Sequence, residues 1–288
     1  MKVLVLGSNG QLGKKIIEKA PEWAEVFSFS HAQLDIKSES SLKEVFKHNQ
    51  FDVLINCAAY TQVDKAESES DEAFRINRDA MEVISRLCKE FDVFLVHFST
   101  DYVFSGTDFV PYNESSKTSP LGVYGVSKAQ GEIKIQANDC SYAIIRTSWL
   151  YSESGKNFLR TIAGRLVSQS SVKVVSDQIG SPTYVGDLAE ASWNLLSNPL
   201  NLKMKEVFHF SNEGVGSWYD FAFEIGCMLG KEDLVSPIKT EEYPSIAPRP
   251  HYSVLDKTKF KKSLGKPIRH WKTALKECIL KYKELENL

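Results

Sequence analysis

Residues 2–20, KVLVLGSNGQLGKKIIEKA, restrict the fold more than any other stretch. A short apolar run, Val3 to Leu6, meets a glycine-rich turn, and Ile16, Ile17 and Ala20 then recur at helical spacing. That is strand, loop, helix. Gly7, Gly10 and Gly13 give the spacing G-x-x-G-x-x-G. Glycine lets a backbone turn sharply and approach a pyrophosphate, whose charge is favoured at the positive end of a helix. The spacing departs from G-x-G-x-x-G but supports the same geometry. It makes Gly7, Asn9, Gly10, Gln11, Leu12 and Gly13 candidate dinucleotide contacts. A tight strand-to-helix turn that holds no ligand is the plainer alternative.

The following residues extend the pattern. Strands are predicted over 26–29, 52–58 and from 93, where VFLVHFST is a continuous apolar run of the kind covered on both faces. A long helical pattern carries Ala73, Ile76, Ala80, Val83, Ile84 and Leu87. PLGVYGVSKAQGEIKI reads as a helix and YAIIRTSWL as the strand after it. Strands alternating with helices predict an α/β fold, a Rossmann-type doubly wound parallel sheet. Beyond Trp149 the regularity loosens. SVKVVSD and EVFHFSN read as strands, WYDFAFEIGCML as a helix, and the proline-rich EEYPSIAPRPHYS as a loop or lid. Trp271, Ala274, Leu275, Cys278 and Ile279 share one face of a closing helix. The expectation is a dinucleotide-binding domain over 1–149, rejoined by parts of 172–212, and a smaller, mainly substrate-binding domain over 150–288.

The 288 residues, 42% hydrophobic and 25% charged, suffice for a sizeable core. A net charge of −2 with interspersed signs argues against a nucleic-acid or membrane surface. No run approaches the ~18 apolar residues of a membrane span. The chain enters an apolar strand at once, so no signal peptide is expected. Five scattered cysteines without C-x-x-C fit reduced thiols and argue against zinc or a disulfide framework. A cytoplasmic location follows.

A dinucleotide fingerprint wants an acid at the end of the second strand, for the ribose of NAD. Here Phe29, Ser30 and His31 stand there. Without that repulsion, Ser30 and His31 can meet a 2′-phosphate, which favours NADPH or use of both cofactors. Asp35 and Ile36 follow, within reach of an adenine. FSTDYVF ends the fourth strand and sets Thr100 and Asp101 over the cleft, where such sheets gather their functional groups. Tyr124 and Lys128 form the only Y-x-x-x-K in the chain, a spacing that makes them neighbours on a helix. A free tyrosine titrates near ~10. A nearby ammonium favours the phenolate and lowers that value. In ketone reduction Tyr124 would donate a proton to oxygen, Thr100 would hold that oxygen, and Lys128 would also grip the nicotinamide ribose. Singly, Thr100 is a strand-end cap, Asp101 a turn residue and Tyr124 a packing residue; jointly they form a catalytic set.

GSNGQLG, NCAAYTQVDKAE, STDYVFSG and PLGVYGVSKAQGE together resemble the extended short-chain dehydrogenases/reductases. RTSWLY, SPTYVGDLA and RPHYSVLD narrow the resemblance to the dTDP-4-dehydrorhamnose reductase family, along nearly the whole chain. The resemblance implies NAD(P)H-dependent reduction of the C4 ketone of dTDP-4-dehydro-L-rhamnose, giving dTDP-L-rhamnose; a monomer or homodimer is expected. By motif match it implies Tyr124 as acid with Lys128 its partner, and Thr100 and Asp101 as substrate-side groups. Ala59, Tyr60, Thr61 and Phe98 fall on the cofactor side. Trp149 matches a substrate-contacting tryptophan, a core aromatic at a seam being the other reading. Arg249 is a candidate for the substrate diphosphate, a surface arginine being the other. Some relatives bridge a dimer through a metal on an acid after the glycine loop; Lys14 and Lys15 occupy that stretch, so no metal is expected. Cys57 stands where the family usually has alanine and reads as a small buried residue. Two rival readings are a non-catalytic subunit like the regulator of methionine adenosyltransferase, and another nucleotide-sugar reductase or epimerase.

Overall fold

The apolar runs become the strands of one wholly parallel sheet in the computed structural model, which describes residues 1–288. They are β1 (Lys2–Leu6), β2 (Glu25–Phe29), β3 (Val53–Asn56), β4 (Phe94–Thr100), β5 (Tyr142–Thr147) and a sixth strand, Lys205–Phe210. The order is sixth–β5–β4–β3–β1–β2, every pair parallel. The order reverses between β1 and β3, which opens a crevice beyond the carboxyl ends of those strands. Side chains alternate across the sheet: Val3 and Val5 enter one apolar layer, Leu4 and Leu6 the other. The register aligns Leu6 with Asn56, Asn56 with His97 and Thr100 with Thr147, so the strand ends that carry polar groups lie level.

Two predicted elements differ, each because a side chain competes with the backbone. The third strand stops at Asn56 instead of running to 58, where the Asn56 amide oxygen accepts the Ala58 N–H at 3.1 Å. The long helix through Ala73 and Leu87 is broken into Ser70–Phe74, a π-turn at Arg75–Asp79, and Ala80–Glu90. The π-turn presents the buried Asn77, whose side chain pairs with the N–H and C=O of Tyr60 at 2.9 and 3.0 Å. Such insertions recur at functional sites.

Beyond β5 the chain builds a second, smaller set of elements. Val172–Val175 pairs in parallel with Val235–Ile238, apart from the main sheet. The closing helix Trp271–Glu286 buries Trp271, Ala274, Leu275, Cys278 and Ile279 in the same apolar cluster that holds Val3 and Val5. One continuous core therefore runs under both parts. The proline-rich stretch forms no regular element between Tyr243 and Pro250. It is fastened to Asp64, which accepts from the Ala247 N–H at 3.1 Å and from Arg249 Nη2 at 2.6 Å. No helix is long and apolar enough to cross a membrane.

Candidate active site

The glycine loop shows why its residues are small. Gly7 has φ +77, and a Cβ there would lie 2.6 Å from the backbone nitrogen of Ala58. Any side chain would push the loop off the exit of β3. Gly10 is the N-cap of α1 (Gln11–Glu18) and brings no side chain to cap it. The first-turn N–H groups of α1 therefore have no partner within the helix and none from a cap. They form a ready anion site.

From this loop a cleft runs along the strand ends in two connected chambers. The outer one, about 340 Å³, is lined by Gly7, Asn9, Gly10, His31, Asp35, Ile36, Ala59, Tyr60 and Thr61, with Leu34 and Ile76. The inner one, about 200 Å³, is lined by Gly10, Gln11, Leu12, Phe98, Tyr124 and Lys128, with Asn56, Ser99, Thr147 and Leu150. Gly10, Cys57, Ala58, Ala59 and Thr61 line both. Two expected cofactor residues lie elsewhere. Gly13 packs beneath the loop, against Gly7 and Ser8. Ser30 is buried and turned inward; its hydroxyl and N–H both go to Gln33 Oε1, at 2.8 and 2.9 Å.

Tyr124 and Lys128 lie one turn apart on the helix Val123–Ala137. Tyr124 is half-buried, and its ring meets Tyr102 edge-on at 5.6 Å. Burial pushes the Tyr124 phenol above its ordinary value, with the Thr100 side chain working the other way. Lys128 is 2% exposed. Its Nζ donates to the Phe98 carbonyl at 2.6 Å and lies 3.1 Å from His97 Nε2. Burial pulls Lys128 down to about 8, with Glu132 opposing. The expected depression of the phenol by Lys128 is thus absent: the lysine points at β4, and desolvation dominates both groups.

Thr100 closes β4. Its hydroxyl donates to Asp101 Oδ1 at 3.0 Å and accepts from the Tyr102 N–H at 3.2 Å, capping the short turn Asp101–Val103. Asp101 is 2% exposed. Burial pushes its carboxyl up to about 6 against hydrogen bonds from Ser253 and Thr100.

A second hollow, about 280 Å³, opens beside Tyr102 and is lined by Phe158, Arg165, Lys173, Gln178, Trp218 and Arg249 among others. Trp149 stacks on Trp218 with ring centroids 3.7 Å apart and an 11° interplanar angle. Its φ of 48 is sparsely populated for a bulky residue, and a Cβ on Gly180 would strike its indole at 2.6 Å. The stack is therefore held from the backbone side. Arg249 reaches the hollow while donating to Tyr102 Oη at 3.1 Å and to Asp64. It enters as an anchored cation, not a free surface one.

Sequence reasoning did not single out Thr147, Asn77, His97, Trp218, Phe158, Arg165 or Lys173. Thr147 was within reach: it ends β5 level with Thr100, inside RTSWLY. His97 stands in VHFST, where an inward polar residue in an apolar strand is itself a signal. No three His, Cys, Asp or Glu side chains are grouped to hold a metal ion. Lys15 is instead buried against Glu153 and Glu18.

Comparison with known proteins agrees with this geometry. The family described as RmlD substrate binding domain matches residues 1–284. The spore coat polysaccharide biosynthesis protein SpsK of Bacillus subtilis is 39% identical, over 96% of each chain. The crystal structure of a dTDP-4-dehydrorhamnose reductase from Clostridium acetobutylicum superposes with a TM-score of 0.92 at 36% identity, covering 100% of both chains. A dTDP-4-dehydrorhamnose reductase from Bacillus anthracis, in complex with NADP, also gives 0.92, at 34% identity over 97% of this chain and 98% of its own.

Proposed function

The chain belongs to the family of dTDP-4-dehydrorhamnose reductases, and we propose that it is an NADPH-dependent oxidoreductase converting the C4 ketone of dTDP-4-dehydro-L-rhamnose to the alcohol of dTDP-L-rhamnose. One observation carries the reading: Tyr124 and Lys128 line the inner end of a cleft whose wall begins at the glycine loop.

The residues present suit a dinucleotide. The close backbone approach that Gly7 allows and the uncapped start of α1 after Gly10 suit a pyrophosphate. The Thr147 hydroxyl is buried, without a hydrogen-bond partner, in the wall of the inner chamber, where a carboxamide can satisfy it. His31, Asp35 and Ile36 take the adenosine end. Asp35 is the one carboxylate on that rim; Lys37 lies 3.8 Å from it but gives its hydrogen bond to Glu72 at 2.7 Å. The lack of an acid at Phe29–His31 and the NADP held by the Bacillus anthracis relative support NADPH, with NADH the weaker alternative.

When bound, the reduced nicotinamide supplies a hydride equivalent to the carbonyl carbon. Tyr124 delivers the proton to the carbonyl oxygen. Burial keeps its phenol protonated and ready to donate. Thr100 holds the same oxygen once its hydroxyl hydrogen turns to it from Asp101 Oδ1, and Asp101 bonds a sugar hydroxyl beside it. Lys128 orients the ribose and stabilises the phenolate left behind. Trp218, backed by the stacked Trp149, gives an apolar wall for sugar or base, and Arg249, Arg165 and Lys173 bring positive charge for the diphosphate. In this reading residues 1–149 hold the dinucleotide and 150–288 mainly the sugar nucleotide, in a cytoplasmic monomer or homodimer.

The test follows dihydronicotinamide absorbance with dTDP-4-dehydro-L-rhamnose against UDP- and GDP-linked analogues. Net, stoichiometric consumption with the dTDP sugar is expected; equal rates with all three, or none, would overturn the assignment. Tyr124→Phe should fold and bind NADPH yet lose roughly 10²–10⁴-fold in kcat, the usual worth of a positioned proton donor. Near-normal turnover in that variant removes Tyr124 from its role.

A further inference from the structure

Behind Lys128 lies a side chain that the proposed reaction does not use. His97 is 1% exposed on β4, flanked by Asn56 of β3 and Ile144 of β5. Its ring nitrogens face two partners: Nδ1 lies 3.1 Å from Asn56 Nδ2, and Nε2 lies 3.1 Å from Lys128 Nζ.

The direction of this chain of hydrogen bonds is set at its far end. The Ala58 N–H can only donate, and it lies 3.1 Å from Asn56 Oδ1. With the amide oxygen taken, the amide NH₂ is what faces His97, its second hydrogen meeting Met81 Sδ at 3.1 Å. His97 Nδ1 must therefore accept, and a neutral ring then carries its proton on Nε2. That N–H aims at Lys128 Nζ. An ammonium has no lone pair and would face it donor to donor; an amine accepts. The amine's own hydrogens still serve the Phe98 carbonyl at 2.6 Å. A cationic Lys128 would force the ring proton onto Nδ1, against the Asn56 amide hydrogens, in a site buried from solvent.

The surrounding charges agree. Glu132, one turn further along the Tyr124 helix, is the carboxylate that bears on Lys128, and it is tied to Arg146 at 2.7 Å. Asp101 and Tyr102 act on Tyr124 instead. Asn56 and Met81, from β3 and the helix Ala80–Glu90, are neutral. Burial holds His97 well below the usual imidazole range, so the ring does not become a cation.

We infer that His97 is a positioning residue that favours the uncharged amine of Lys128 in the free enzyme at mildly alkaline pH, and that the cation partnering Tyr124 then forms by proton uptake from solvent when the dinucleotide binds. The balance is one amine, one solvent proton and one ammonium, with no bond to carbon made or broken. The inference rests on the proposed dinucleotide site, but not on the identity of the sugar nucleotide.

The experiment is NADPH binding without any sugar, measured calorimetrically at pH 8–9 in buffers of different ionisation heat. Wild type should take up a large fraction of a proton, and its affinity should fall with rising pH, approaching roughly tenfold per pH unit. In His97→Gln the amide oxygen can accept from an ammonium, so uptake should vanish and affinity should become nearly flat with pH. Lys128→Met should also abolish uptake, which separates this proton from any taken by the 2′-phosphate. Nitrogen-15 NMR of the free wild-type protein should show the Nε2–H tautomer of His97, a readout that needs no variant to fold. No uptake in wild type, unchanged uptake in either variant, or an Nδ1–H tautomer would each overturn the inference. Normal uptake with no ketone reduction would instead overturn only the substrate assignment.

Discussion

Lys15 and Lys128 are both almost fully buried lysines, 5% and 2% exposed, on the two helices that frame the cleft. Their surroundings drive them apart. For Lys15, burial works to lower the proton affinity, but Glu153 and Glu18 outweigh it, and the group is raised. Its main partner Glu153 also accepts from Tyr184 Oη at 3.2 Å, so the pair is hydrogen-bonded on both sides. Lys128 hydrogen-bonds no carboxylate, only a carbonyl and an imidazole, and burial wins. A buried lysine bonded to a carboxylate fastens elements together. One denied that partner stays able to change charge, which is what a catalytic lysine needs.

Breaking that comparison starts at Lys128. Lys128→Met should lower kcat roughly 10²–10⁴-fold, while denaturant midpoints stay level or rise. If urea unfolding shows a large destabilisation instead, Lys128 is as structural as Lys15. Lys15→Met should do the reverse: with Glu153 left buried and uncompensated, it should cost about 3–5 kcal/mol in unfolding free energy. Replacing the pair together, Lys15→Met with Glu153→Leu, should recover much of that loss; a double variant no better than the single one would show that the pair's charge is not the cause.

Asp101 sharpens the contrast from the acid side. Its native value of about 6 lies above the ordinary 3.8. The folded protein therefore keeps a proton that the unfolded chain releases between those values, and stability falls as pH rises through that window. Asp101→Asn avoids the buried charge. It should gain up to about 3 kcal/mol above pH 6, each tenfold change in proton affinity being worth about 1.4 kcal/mol, and nothing below pH 4. Equal gains at pH 4 and pH 8 in urea titrations would refute the titration argument. The same variant should lose activity, as stabilised sites commonly do. The smallest effect is expected at the aromatic wall: Trp218→Ala should raise KM a few-fold, the worth of about 0.5–1.5 kcal/mol of stacking, and leave kcat nearly unchanged. A kcat loss with constant KM would place Trp218 on the reacting centre instead.

What could be read along the chain was local. The turn at Gly7–Gly13, the alternation of apolar runs and the i,i+4 pair of Tyr124 and Lys128 each occupy a short window, so spacing and period suffice. Trp149 and Arg249 were reached through family resemblance; Arg249 lines the second hollow, tied to Asp64, whereas Trp149 does not line it and stands behind Trp218. The break in the helix at Asn77 escaped the pattern because its cause, the Tyr60 backbone, lies on another element. Ser30 turned away from the cleft for a similar reason: Gln33 offered it a nearer partner than any ligand.

The amino-acid order by itself determined the parallel sheet, the glycine turn that opens α1 and the placing of a phenol and a lysine one helical turn apart, since these follow from glycine spacing and helical or strand period. Only the tertiary structure decided which buried lysine meets a carboxylate, which way the Asn56 amide faces and what stands behind Trp149. Those outcomes depend on desolvation and on partners brought together across distant parts of the chain, and neither is written in any single window of residues.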